Sequence, residues 1–201
     1  MDSETIEVYD SQVDKYVELT KSEAPDKSLR GFMARIPAGG TILDLGCGPG
    51  GSASAMKKAG FTVEAIDASA EMVRIAKELF SLDVRHGVFQ DIREVNHYDG
   101  VWANFSLLHA TEDEFVGLLP LLHRALKPQG ILFLGLKAGE GTQRDRLGRR
   151  YTYYTEVKLS GLLAAANFSV VHTETGEGVG LAGDVAPFVL TTAQANEDGN
   201  G

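Results

Sequence analysis

The sequence predicts an α/β chain built on a doubly wound, mostly parallel sheet. Three observations predict it. Short apolar runs alternate with stretches of helical periodicity between residues 41 and 136. A glycine-rich turn, DLGCGPGG at 44–51, stands between the first apolar run and the first of those helices. The last two apolar runs, 169–173 and 188–192, are joined by a glycine-rich link rather than a helix. Alternating strands and helices imply parallel strands joined by right-handed crossovers, whereas strands with no helix between them read as an antiparallel pair.

Before the sheet, residues 6–36 carry no strand signal. Val8, Tyr9, Val13, Tyr16 and Val17 recur at roughly helical spacing, as do Leu29, Phe32, Met33 and Ile36, with Asp26 placed to cap the second run. Residues 1–36 are therefore expected to form a helical cap. The first strand is 41–45, followed by a small-residue helix over 52–59 that Gly60 stops. The second strand is 62–66, after which Ser69 caps a helix with its apolar face on Met72, Val73, Ala76, Leu79 and Phe80. Further strands are expected at 84–86, 100–104 and 131–136. Thr111 and Glu114 form a capping box for the helix leading to Leu126, and Pro120 must kink that helix or begin a second. A helix over 156–166 precedes the final strand pair, and the polar tail 194–201 is expected to be disordered. The organisation is one domain over 1–193.

Size and charge bound the function. A chain of 201 residues buries a substantial core without staples. Cys47, the only cysteine, excludes an intrachain disulfide and a thiolate metal cluster, and a reduced, cytoplasmic interior is the expected setting. The first residues are acidic and lack a signal-peptide profile. No apolar run approaches the ~20 residues of a membrane span. A net charge of −9 disfavours long contacts with nucleic acid. Neither a metal nor a nucleic-acid or membrane partner is expected, and the oligomeric state is not legible.

The glycine turn alone is ambiguous. It lets the backbone approach a ligand and presents N–H groups at a helix start. Gly46, Gly48 and Gly51 also satisfy the dinucleotide fingerprint, and Asp67 lies where a ribose-binding acid belongs in either case. Three features favour an adenosyl sulfonium over a dinucleotide. Asp44 sets a carboxylate at the mouth of the first strand, repelling a pyrophosphate and attracting a sulfonium or an amino group. Gln90 and Asp91 follow the third strand, where an adenine amino group can donate. The last, antiparallel strand is one that a plain dinucleotide fold does not require.

TILDLGCGPG at 41–50 resembles motif I of the class I S-adenosylmethionine-dependent methyltransferases, and Asp67, QD at 90–91, ANFS at 103–106, LKPQG at 126–130 and NF at 167–168 follow in the family's order. The run 103–110 with GRRY at 148–151 and YYTE at 153–156 resembles small-molecule, tellurite-resistance-type members. The resemblance implies a seven-stranded sheet with its last strand antiparallel, and S-adenosyl-L-methionine as cofactor over the first two strands. It implies that Gly46, Gly48 and Gly50 line the methionine portion, Asp44 organises the loop or the amino group, and Asp67 takes both ribose hydroxyls, with Ala68 also at the cofactor. Asp91 and the backbone of Ile92 would hold the adenine, and Asn104 and Phe105 would lie beneath the methyl. Gln129 and Asn167 stand where the family usually has glycine; asparagine tolerates the left-handed conformation better than most residues.

The implied reaction is in-line methyl transfer to a small-molecule acceptor; a non-catalytic adenosyl-binding module and a nicotinamide-dependent oxidoreductase are the alternatives. His109, after the fourth strand, is a candidate general base, with packing as its other reading. Tyr9 and Tyr16, seven residues apart on one helical face, are candidates for a lid over the methyl group. The stretch 137–150 holds five basic and two acidic residues. A solvated loop is its plainer reading, and an acceptor clamp of Arg149, Arg150 and Tyr153 the functional one. Cys47 reads as a small filler, and the glycines of 176–183 as a flexible connection.

Overall fold

The computed structural model describes residues 2–20 and 24–197. The chain opens with α1 (Ser3–Ser11), α2 (Val13–Thr20) and α3 (Lys27–Met33). Asp2 caps α1 by accepting from Thr5 N, and Asp26 caps α3 by accepting from Leu29 N, as the sequence predicts for Asp26. Then follow β1 (Thr41–Leu45), α4 (Gly51–Lys58), β2 (Thr62–Asp67), α5 (Ala70–Phe80), β3 (Val84–His86) and β4 (Tyr98–Asn104). The second half holds α6 (Glu112–Ala125), β5 (Leu126–Ala138), β6 (Thr142–Arg144), β7 (Arg150–Tyr154), α7 (Glu156–Ala165), β8 (Phe168–Val179) and β9 (Val185–Ala195).

The main sheet runs β3-β2-β1-β4-β5-β9-β8, with β9 antiparallel to both neighbours and the pairs from β3 to β5 parallel. This is the seven-stranded arrangement expected. A hairpin of β6 and β7 is added at the end of β5, where Lys137 and Ala138 pair with Tyr153 and Tyr154. No apolar run in the sequence marks these two strands. Its basic residues mask strands that are stabilised by packing and ion pairs instead of by an apolar run.

The two-residue period of the strands divides the core. Leu43, Leu45, Val101, Ala103, Leu132 and Leu134 face one layer, which includes Phe115, Leu118 and Leu122 of α6. Ile42, Trp102 and Phe133 face the other, against Phe32 of α3 and Met56 of α4, with Trp102 stacked on Phe133 at 4.0 Å between ring centroids. Both faces of the sheet are thus covered, as a parallel sheet requires.

Local chemistry explains the element boundaries. Gly60 stops α4 in the left-handed region at φ 96°, and Gln129 and Asn167 take that conformation at φ 62° and 63°. Thr111 and Glu114 form the capping box on α6. Pro120 begins no second helix: α6 runs through it, and both Pro120 and Val116, whose carbonyl loses the bond, face solvent. The expected tail is shorter than 194–201. Gln194 pairs with Ile131 and Ala195 with Phe168, because β5 and β8 extend far enough to receive them; residues 198–201 of that tail lie outside the described residues.

Candidate active site

Strand order places a crevice between β1 and β4, where the chain leaves β1 for β2 on one side and later returns from β3 to β4 on the other. Ligands of doubly wound sheets bind at such a switch point, beyond the carboxyl ends of the strands. Asp44 near the end of β1, Asp67 at the end of β2 and Asn104 at the end of β4 meet there, with Asp44 in register with Ala65 and Trp102.

The glycine turn is shaped by its backbone. Gly46 lies at φ 75° and leaves no room for a side chain, since a Cβ would come within 2.4 Å of Ser106 Cβ. Gly48, at φ 54°, would meet only Tyr16 Cε1 at 3.4 Å, so it borders open space. Gly50 corrects the expectation that it lines the ligand: at φ 88° its Cβ would strike Leu82 Cδ1 at 2.6 Å. It faces the core while its left-handed backbone opens α4.

The carboxylates differ. Asp67 accepts from Gly48 N at 2.8 Å and Ser69 N at 2.9 Å, which ties the glycine turn to the end of β2. Burial pushes its pKa up. Asp44 is 2% exposed, and its Oδ2 has no hydrogen-bond partner among the described residues. Burial, followed by the nearby Asp67 charge, pushes its pKa up to about 8.

Two compartments form the crevice. One, of about 50 Å³, is lined by Gly46, Gly48, Asp67, Ala68, Phe89 and Asn104 among others; the second, of about 130 Å³, lies over Asp44, Cys47 and Ser52. Tyr16 borders both. Asp91 and Ile92 are not on these walls. Exposed Asp91 accepts from Val88 N at 2.8 Å and closes a short turn, and Ile92 is buried in the core. On the same turn, Gln90 Oε1 is buried without a partner among the described residues. Cys47 is buried, and burial raises its thiol pKa, which suits a filler.

Behind the crevice lies a chamber of about 300 Å³, sharing Tyr9, Tyr16 and Phe105 with it. Leu108, Lys137, Arg149, Tyr151, Phe188 and residues 178–181 complete its walls. The glycine-rich link is not a loose connection, for Gly176 and Gly178 are paired in the β8–β9 hairpin. A Cβ at Gly176 would come within 2.6 Å of Phe188 Cζ, so the ring lies where only glycine leaves room.

Tyr9 joins the two spaces. Its ring meets Tyr16 edge-on at 5.2 Å, across a break at Gln12 that splits the single helix expected. Arg149 Nη1 donates to Tyr9 Oη at 3.1 Å, and Tyr9 Oη lies 2.9 Å from His109 Nε2. His109 Nδ1 lies 2.7 Å from the Arg150 carbonyl, which can only accept. Nδ1 therefore carries the proton, and Nε2 accepts from Tyr9. Burial holds the His109 pKa down at about 4.

Arg149 is 3% exposed, paired through Nε and Nη2 with Asp145 Oδ2 at 3.0 and 2.7 Å, and lies over the rings of Tyr9 and Tyr151. Arg150 does not join it. It turns to Glu114 Oε2 at 3.1 Å and the His109 carbonyl, tying β7 to α6. Nor does Tyr153 reach the chamber; it pairs in register with Lys137 and sits against Gly139. Lys137, Tyr151 and Phe188 stand there instead. Their signals in the sequence are faint: a lysine just beyond an apolar strand, one tyrosine of a cluster, and the aromatic opening the last strand.

Fold and crevice together define a doubly wound domain suited to an adenosyl ligand with a cationic end. Residues 42–130 match a family described as a methyltransferase domain. The malonyl-[acyl-carrier protein] O-methyltransferase of Enterobacter lignolyticus is 33% identical over 117 residues, 55% of this chain and 45% of that protein. The trans-aconitate 2-methyltransferase of Azoarcus is 30% identical over 151 residues, 70% and 56% of the two chains. Among solved structures, a Burkholderia thailandensis 1,6-didemethyltoxoflavin-N1-methyltransferase with bound 1,6-didemethyltoxoflavin and S-adenosylhomocysteine superposes with a TM-score of 0.74 at 22% identity. The match covers 97% of this chain and 88% of that one. Residues 42–130 of the chain thus match a methyltransferase domain, and the chain shares the fold of that solved S-adenosylhomocysteine-bound methyltransferase. It spans about half the length of the curated relatives it matches.

Proposed function

We propose that the protein transfers a methyl group from S-adenosylmethionine to a small-molecule acceptor. Asp44 carries this reading. A buried carboxylate with an unpaired oxygen, next to a second acid, lacks a cation that can donate, and an α-amino group is both. A pyrophosphate placed there would meet two acids. The residues fit the cofactor elsewhere too. Asp67 retains lone pairs for ribose hydroxyls, Gln90 Oε1 offers an acceptor to an adenine amino group, Asn104 lines both crevice compartments, and Phe105 lies between crevice and chamber.

When bound, S-adenosylmethionine would supply an electrophilic methyl to the lone pair of an in-line acceptor, the carbon–sulfur pair being left on sulfur. The chain's part is alignment and exclusion of water. Tyr9, Tyr16 and Phe105 form the partition at which the two reactants meet. His109 touches Tyr9, and a pKa near 4 makes it a poor proton store at neutral pH. It is better read as a positioning residue that fixes the Tyr9 hydroxyl than as the general base anticipated. A cytoplasmic setting belongs to the same reading, supported by the buried free thiol of Cys47.

Calorimetric titration with S-adenosylhomocysteine and, separately, NAD tests the donor. Binding of the first without the second is expected; the reverse result overturns the proposal. Transfer of a labelled methyl group to a pool of small acceptors, lost in Asp44→Ala, then tests the reaction.

A further inference from the structure

The chamber beside the crevice has a composition of its own. Five aromatic side chains wall it, Tyr9, Tyr16, Phe105, Tyr151 and Phe188, and its charged lining residues are two cations, Lys137 and Arg149. No carboxylate is among its described lining residues. Arg149 is neutralised from behind by Asp145, at 2.7 Å. Lys137 is not neutralised. Its ammonium makes no hydrogen bond or ion pair among the described residues, and it is half-buried; burial, followed by the neighbouring Arg149 charge, disfavours the ammonium form. Two cations and one carboxylate leave a single positive charge facing an aromatic space. Holding an ammonium there without a counter-ion is costly, and a ligand's negative group offsets that cost.

Geometry fixes where that group would sit. Lys137 pairs in register with Phe188, and its Nζ is 4.0 Å from where a Gly180 Cβ would stand, against the β8–β9 hairpin. It does not line either crevice compartment. Lys137 thus borders the chamber and neither crevice compartment, so an anion that it holds is anchored on the chamber's side of the partition. A volume of about 300 Å³ is at the small end of ligand pockets, which run to ~300–1,000 Å³.

We propose, resting on the methyl-transfer reading, that the acceptor is a small planar aromatic monoanion. Its carboxylate or equivalent oxyanion is held by Lys137 and Arg149, and its ring lies among Phe105, Tyr151 and Phe188.

The test uses matched pairs: benzoate, 4-hydroxybenzoate and indole-3-carboxylate, each against its uncharged amide. Each is titrated into the wild-type protein, Lys137→Met and Lys137→Arg, with and without saturating S-adenosylhomocysteine. At least one acid should bind tenfold or more tightly than its amide. Lys137→Met should erase the preference, Lys137→Arg should retain it, and S-adenosylhomocysteine affinity should be the same in all three. Acids that bind no better than their amides, or a preference that survives Lys137→Met, overturn the proposal. A protein that fails to bind S-adenosylhomocysteine refutes the donor assignment instead, while the acid–amide comparison made without it still decides the anion site.

Discussion

The crevice over β1 and β2 and the chamber behind it share three aromatic side chains but have opposite electrostatics. The crevice buries two carboxylates, one with an unpaired oxygen. The chamber holds two cations, one without an ion-pair partner among the described residues. Low dielectric makes each imbalance expensive in the ligand-free protein. On the proposed reading, the difference teaches how one fold can receive a cationic donor and an anionic acceptor side by side without either taking the other's place. Each compartment attracts one charge and repels the other.

The largest expected effect lies in the crevice. Asp44→Asn removes a charge-assisted bond worth ~1.5–3 kcal/mol, so S-adenosylhomocysteine should bind about 10- to 100-fold more weakly by calorimetry. Binding unchanged in Asp44→Asn would remove the contrast between the two spaces at its root.

The pH dependence of stability comes next. Asp44 titrates near pH 8 folded and near 3.8 unfolded, so between those values the folded state binds more protons. Ligand-free stability should therefore fall as pH rises through that window, by about 2 kcal/mol from pH 6 to pH 8, with Asp67 adding in the same direction. Urea unfolding at several pH values should show this slope, and Asp44→Asn should flatten it. His109, in the wall between the spaces, has the opposite sign. Its folded pKa near 4 lies below the usual 6.5, so its stabilisation is complete above 6.5 and is lost as pH falls toward 4. His109→Gln should flatten the acid arm alone.

Tyr9→Phe comes third. It strands Arg149 Nη1 and His109 Nε2 in the partition, and should lower unfolding free energy by about 1–2 kcal/mol, read as a shifted urea midpoint. The smallest effect is expected at Asp91, on the surface turn. Asp91→Ala should change S-adenosylhomocysteine affinity by less than about twofold; a large loss would return that carboxylate to the adenine.

Legibility in the sequence also divides the two spaces. Asp44, Gly46, Gly48 and Asp67 are close in the chain, and a strand–turn–helix pattern dictates what lies at its own turn. Local rules thus reached most of the crevice. They failed at Gly50, whose positive φ opens a helix over Leu82, and at Asp91, where capping a turn and holding a base look the same in sequence. The chamber is assembled from five separate segments, and which side chains meet there depends on long-range pairing. Arg149 and Arg150 are adjacent, yet one turns to Asp145 and Tyr9 and the other to Glu114. No pattern in GRRY predicts that split. Lys137 became visible only once β5 was paired with β9.

Tyr16 borders all three cavities, and the spaces beneath it are about 50 and 130 Å³. Volumes of that size do not hold a nucleoside with an amino-acid tail, so on the proposed donor reading α2 has to shift to admit one. Lifting α2 to admit it also removes one wall of the acceptor chamber, so the two guests cannot be exchanged independently. If the chain transfers methyl groups as proposed, donor settles before the acceptor finds a complete enclosure, and spent donor leaves only after the product's enclosure has come apart. Turnover paced by that hinge, rather than by bond-making, should slow as solvent viscosity is raised, and Tyr16→Ala should relieve the dependence.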